Sequence, residues 1–191
     1  MSLPPTPVLQ ALKKSSASMA NRSTPFVYNE WYVAAFSSEV TREFLPRILL
    51  EKRVVLFRTE AGEAVALSDR CAHRAYPLSL GKLEGDTIVC GYHGFRFNAE
   101  GDCVDVPSSA KCPRDLGVAR YRVVERGPLV WIWMGNPDEA DESRLVEQEW
   151  LGESNWAKSS GYFELQSNYI SMHENLLDLT HLSFLHANTF G

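Results

Sequence analysis

The chain has 191 residues, 45% of them hydrophobic, and a formal net charge of −5. It has enough apolar material for a real core, and its acid excess argues against wholesale binding to nucleic acid or an anionic membrane. No run approaches the ~18 apolar residues of a membrane span, no secretory signal opens the chain, and four unevenly spaced cysteines suit a reducing compartment better than a disulfide scaffold. The expectation is a cytoplasmic globular protein.

Residues 1–25 are rich in Ser and Pro, carry Lys13, Lys14 and Arg22, and precede the first acid, Glu30. They read as a disordered basic leader, with an organellar transit peptide or a start at Met19 as the alternatives. From 27 to 135, short β-branched and aromatic runs (31–36, 53–58, 87–90, 121–124 and 129–134) alternate with turns such as Ala61-Gly62 and Glu100-Gly101-Asp102. That pattern predicts a mainly β domain, a small antiparallel sandwich or barrel. Residues 136–160 open on an acidic stretch and read as a linker. Residues 161–170 predict one more strand, and from about Met172 leucines 176, 177, 179, 182 and 185 at helical intervals predict a helix. An amphipathic helix needs a partner surface, so 161–191 reads as the truncated start of an α+β domain.

The chemistry is concentrated in Cys71-x-His73 and, sixteen residues on, Cys90-x-x-His93. Two Cys and two His also make a common tetrahedral zinc set, but zinc fingers usually pair Cys with Cys and His with His. Here each arm mixes one of each, which fits a Rieske [2Fe–2S] cluster, where one iron takes both thiolates and the other both imidazoles. Zinc remains the competitor. Glycines 91 and 94 suit loops that approach a cluster closely, and Pro77 stiffens a nearby turn. Cys103 reads as a small buried hydrophobe in a strand and Cys112 as a loop residue, neither of them a ligand.

A second constellation lies in the helical segment: Glu174-Asn175-Leu-Leu-Asp178-Leu-Thr-His181, then His186. Two histidines and a later carboxylate form the facial triad of non-haem Fe(II). Residues five apart point about 140° from each other on a straight helix, so if His181 and His186 share an ion the segment between 182 and 186 must widen, break or end. Asp178, one turn before His181, is placed for a carboxylate hydrogen bond to an imidazole N–H.

The arms Cys71-Ala-His-Arg-Ala-Tyr-Pro-Leu and Cys90-Gly-Tyr-His-Gly-Phe-Arg-Phe closely resemble the cluster loops of Rieske oxygenases, whose first arm more often reads Cys-Pro-His-Arg. The run from Asn175 to His186 resembles the mononuclear-iron motif of aromatic-ring-hydroxylating oxygenase α-subunits of the vanillate O-demethylase and dicamba monooxygenase type. Asn29-Glu-Trp-Tyr-Val-Ala-Ala, the stretch 77–81 and Val130-Trp-Ile-Trp match that type too. The resemblance covers residues 27–191, the N-terminal half of such a subunit, and the family's third iron ligand, an Asp, belongs to a region this sequence does not contain.

The resemblance implies a Rieske domain over 27–135 and, at 161–191, the first part of a mononuclear-iron catalytic domain. It implies cluster ligands Cys71, His73, Cys90 and His93, mononuclear Fe(II) ligands His181 and His186, Asp178 bridging to a neighbouring subunit's cluster, and Asn175 close to the iron. An NAD(P)H-dependent reductase or ferredoxin would supply electrons, and a homotrimer would use O2 to hydroxylate or O-demethylate a small aromatic compound. High-potential Rieske proteins carry cysteines and a serine where this chain has Tyr76, Tyr92 and Phe95, so the potential is expected toward the low end of the Rieske range, about −150 mV. The alternative function is a stand-alone Rieske electron carrier without its own catalysis.

Overall fold

A computed structural model describes residues 26–109, 111–113, 115–146, 149–159 and 161–189, so the reading of 1–25 as a leader lies outside the described residues. The chain divides into two compact units, one spanning Val27–Lys158 and the other including Ser159–Gly191.

The first unit is built from three antiparallel sheets. β1 (Glu30–Phe36), β11 (Leu129–Met134) and β10 (Val123–Arg126) form one, in that order. β2 (Leu45–Leu49), β3 (Lys52–Arg58), β4 (Ala64–Ser68) and β9 (Arg120–Tyr121) form the second. β5 (Lys82–Glu84), β6 (Thr87–Val89), β7 (Arg96–Phe97) and β8 (Cys103–Asp105) form the third. The expected mainly β fold is therefore present, and its last strand ends at Met134, next to the boundary expected at 135.

Side-chain alternation explains how the sheets layer. Successive residues of a strand face opposite ways, and in β3 Val54 and Leu56 enter a core with Ala34, Val130 and Ile132, whereas Val55 and Phe57 enter another with Leu67, Leu78, Ile88 and Phe97. β4 divides likewise, Ala66 to the first core and Val65 and Leu67 to the second. β3 and β4 are thus buried on both faces, which accounts for their nearly unbroken apolar runs. β11 repeats the device, with Val130, Ile132 and Met134 in the first core and Trp131 and Trp133 packed with Trp31 and Leu145 on the opposite face. Arg58 ties the layers together: its guanidinium pairs with Glu125 of β10 at 2.6 Å and donates to the carbonyls of Ser37, Val40 and Gly62.

Two expectations need correction. The segment read as a linker, 136–160, is folded onto the β unit over its first part: Leu145 is buried with the tryptophans, the Trp31 indole donates to the Asp141 carbonyl at 2.8 Å, and Arg144 lies over the Trp133 ring. Asn136 and Asp141 cap short 3₁₀ turns there through their own side chains. An acidic composition thus hid one buried leucine and a run of capped turns. In the second unit, 161–170 forms no strand; residues 161–166 have no regular structure, and α1 (Tyr169–Leu177) begins earlier than expected, capped by Asn168. Among the described residues no strand lies alongside this run, and an unpaired strand leaves its backbone groups unsatisfied.

Candidate metal centre

The two Cys/His arms occupy unlike positions in the fold but share one backbone design. The second, 90–95, is the tip of the β6–β7 hairpin. The first, 71–77, is no hairpin tip: it crosses from β4 of the second sheet to a 3₁₀ turn, Leu78–Leu80, leading into β5 of the third. In each arm the cysteine amide donates to the carbonyl five residues on, Tyr76 or Phe95, at 2.8 Å. Each cysteine carbonyl in turn accepts from the amide four residues on, Ala75 at 2.8 Å or Gly94 at 3.0 Å. Both of those donors take left-handed backbone, Ala75 at φ 53° and Gly94 at φ 74°. A side chain on Gly94 would also meet the Pro107 ring at 3.0 Å, so the glycine there is demanded twice.

This shared template sends the cysteines inward and the histidines outward. Cys71 and Cys90 are 4% and 2% exposed, in one core with Phe95, Phe97 and Leu78. His73 and His93 are exposed, with ring centroids 4.6 Å apart. Phe95 stacks on His73 at 4.9 Å and 15°, and Tyr92 on His93 at 4.0 Å. Tyr76 and Tyr92 sit 5.5 Å apart, so all three positions singled out for their effect on potential carry rings at the site. Burial pushes the Cys71 thiol up, while the backbone amides of His73 and Arg74, hydrogen-bonded to its sulfur, work against that.

Two buried thiols, two surface imidazoles and amide donors aimed at sulfur fit a two-iron cluster with one sulfur-held and one nitrogen-held metal. Among the described residues no three His, Cys, Asp or Glu side chains converge as for a single ion. A binuclear cluster asks instead for two separate pairs.

Asp69, which sequence reading missed, braces the first arm. It is 3% exposed, and its carboxylate accepts from both the amide and the hydroxyl of Ser79 at 2.7 Å, while its own amide donates to the Arg53 carbonyl at 3.0 Å. It thereby joins the chain before Cys71 to the turn after Pro77. An acid two residues before Cys71 was the available signal. Also missed was the approach of Cys103 and Cys112, whose sulfurs lie 3.6 Å apart.

In the second unit α1 stops at Asp178, whose extended backbone (φ −95°, ψ 94°) interrupts the helix. Its carboxylate caps the turn Leu179–His181, accepting from the Thr180 amide at 3.0 Å and hydroxyl at 2.5 Å; those bonds hold it below the usual carboxylate range. The acceptor at His181 is therefore the Asp178 backbone carbonyl, 2.6 Å from Nδ1, and not the carboxylate expected from sequence. α2 (Leu182–Leu185) ends at once, and His186 leaves helical geometry as its C-cap. This supplies the termination that the five-residue spacing required, and the two imidazoles meet with centroids 5.4 Å apart. His186 Nδ1 lies 3.2 Å from the Thr189 hydroxyl, which itself donates to the His186 carbonyl. His181 Nδ1 faces a carbonyl, which can only accept, so that ring carries its lone pair on Nε2, and the Thr189 hydroxyl allows the same tautomer at His186. Asn175 stands exposed on α1.

Comparison with known proteins agrees with this division. Residues 30–122 match the Rieske [2Fe-2S] domain, and residues 165–191 match the vanillate O-demethylase oxygenase C-terminal domain. The chain is 47% identical over 165 residues to a putative toluene-4-sulfonate monooxygenase system iron–sulfur subunit of Comamonas testosteroni, covering 86% of this chain and 48% of that protein. It is 37% identical over 162 residues to the dicamba O-demethylase oxygenase component of Stenotrophomonas maltophilia, covering 84% and 48%. The crystal structure of dicamba monooxygenase bound to dicamba superimposes with a TM-score of 0.81 at 36% identity, covering 86% of this chain and 49% of that one. The chain spans about half the length of the relatives it matches.

Proposed function

The chain belongs to the Rieske [2Fe–2S] domain family through residues 30–122, and from that premise we propose that it is the electron-accepting part of an aromatic oxygenase α-subunit, with Cys71 and Cys90 on one iron and His73 and His93 on the other. The observation that carries this reading is the split within the shared loop template: thiols buried, imidazoles exposed and in contact. When bound, the cluster supplies one-electron transfer. The protein keeps water from the sulfur pair, orients the imidazoles by stacking Phe95 and Tyr92 on them, and leaves the histidine edge at the surface, where a reductase or ferredoxin delivers electrons.

In the same reading His181 and His186 hold a mononuclear Fe(II) through Nε2, and Asp178 fixes His181 through its carbonyl. Among the described residues no third acidic or imidazole ligand joins them, and two imidazoles alone bind Fe(II) weakly. The carboxylate that completes the triad, the pocket for a small aromatic substrate, the homotrimer and O2-dependent hydroxylation or O-demethylation are proposed for the whole subunit. The match of 165–191 to an oxygenase domain supports this over a stand-alone carrier, which has no need of a second iron.

The test is EPR of the reduced protein, supplied with Fe(II) and treated with nitric oxide. A high-spin iron–nitrosyl signal alongside the Rieske signal is expected, with His181→Ala removing only the former. A Rieske signal with no nitrosyl signal at any Fe(II) concentration would favour the electron carrier.

A further inference from the structure

Cys103 lies in β8, and its backbone is held by Phe97 across the sheet and by a hydrogen bond from its amide to the Leu116 carbonyl at 3.0 Å. The chain then turns back: the Ser109 amide donates to the Val106 carbonyl at 2.9 Å, and its hydroxyl to the Lys111 carbonyl at 2.8 Å. This return brings Cys112 Sγ to 3.6 Å from Cys103 Sγ, and both side chains pack against the core that contains Cys71 and Cys90. The loop between them carries Val106, buried in that core, and Pro107, which lies against Gly94 of the second arm.

We propose that Cys103 and Cys112 are a modification site: a dithiol that closes to an intramolecular disulfide at the base of the second cluster arm, with a low-molecular-weight disulfide as oxidant. Neither residue belongs to the proposed cluster set, and their sulfurs lie 3.6 Å apart, against about 2.0 Å in the bond, so a small closing movement joins them. Cys112, on the returning loop, enters first. Its thiolate attacks one sulfur of R′S–SR′ and expels R′S⁻; Cys103 then attacks the Cys112 sulfur of the mixed disulfide and expels the second R′S⁻. The two protons given up by the cysteines end on the two leaving thiolates. Two thiols are oxidised to one disulfide while one small disulfide is reduced to two thiols.

The inference is tested on the cluster-loaded chain, incubated with oxidised glutathione, alkylated and digested with trypsin without reduction. Trypsin cuts after Arg96, Lys111 and Arg114, so the disulfide ties peptide 97–111 to peptide 112–114. That linked pair is expected in the wild type and is expected to vanish on reduction before digestion. Cys103→Ser should give a glutathione adduct on Cys112 and no linked pair, with the cluster's visible spectrum confirming a folded variant. Full alkylation of both cysteines in the wild type, or separate glutathione adducts with no linked species, would overturn the proposal.

Discussion

The molecule carries two histidine-bearing regions that differ in how they are supported. In the Val27–Lys158 unit the arms are braced from beneath, by Phe57, Leu67, Leu78, Ile88 and Phe97, all fully buried. In the Ser159–Gly191 unit no residue of either helix is buried, and Leu177, Phe184 and Leu185 are 84%, 88% and 73% exposed. The first region gets its geometry from its own strands. The second gets only its local geometry from itself, through the Asp178 cap and the His186 C-cap, and presents apolar side chains that contribute nothing until something covers them.

The contrast can be broken most directly in the core. Phe57→Ala, which removes a fully buried ring that also meets Phe44 edge-on, is expected to cost about 3–5 kcal/mol in denaturant unfolding of the first unit. Phe184→Ala should change the same midpoint by no more than about 0.5 kcal/mol. Equal losses would mean that the two regions do not differ as described. Asp69→Ala comes next. Two buried hydrogen bonds to a carboxylate are lost, and about 2–3 kcal/mol is expected by the same measurement, together with weaker cluster retention on gel filtration.

A smaller effect comes from Arg58 and Glu125. The Arg58 hydrogen bond holds the Glu125 carboxyl below its ordinary value, with help from the Ser37 hydroxyl. A depressed carboxylate stabilises fully above its unfolded value of about 4.3, and that stabilisation is lost as pH falls through the folded one. With both side chains partly exposed, about 1 kcal/mol is involved. Wild-type stability should therefore fall more steeply below about pH 4.3 than that of Glu125→Gln, and parallel curves would remove the pair from the account.

How much was legible in the sequence follows the same division. The Cys/His arms, the β runs and the last strand at 129–134 were readable because short-range pattern and spacing decide them. Asp69 and the Cys103–Cys112 approach were not, since both depend on contacts made only after the sheets stack. The 136–160 segment misled because its acids outnumber the one leucine that anchors it, and 161–170 misled because strand-forming residues need a partner strand. The break at Asp178 was readable in principle: Asp followed two residues later by Thr is a capping pair, and it competes with helix hydrogen bonding.

If Cys71, His73, Cys90 and His93 together hold one [2Fe–2S] cluster, EPR of the anaerobically reduced protein, with iron and zinc quantified, will show it. A Rieske signal is expected that persists in His181→Ala and disappears in His93→Ala. Colourless protein loaded with zinc, or a Rieske signal surviving in His93→Ala, would contradict it.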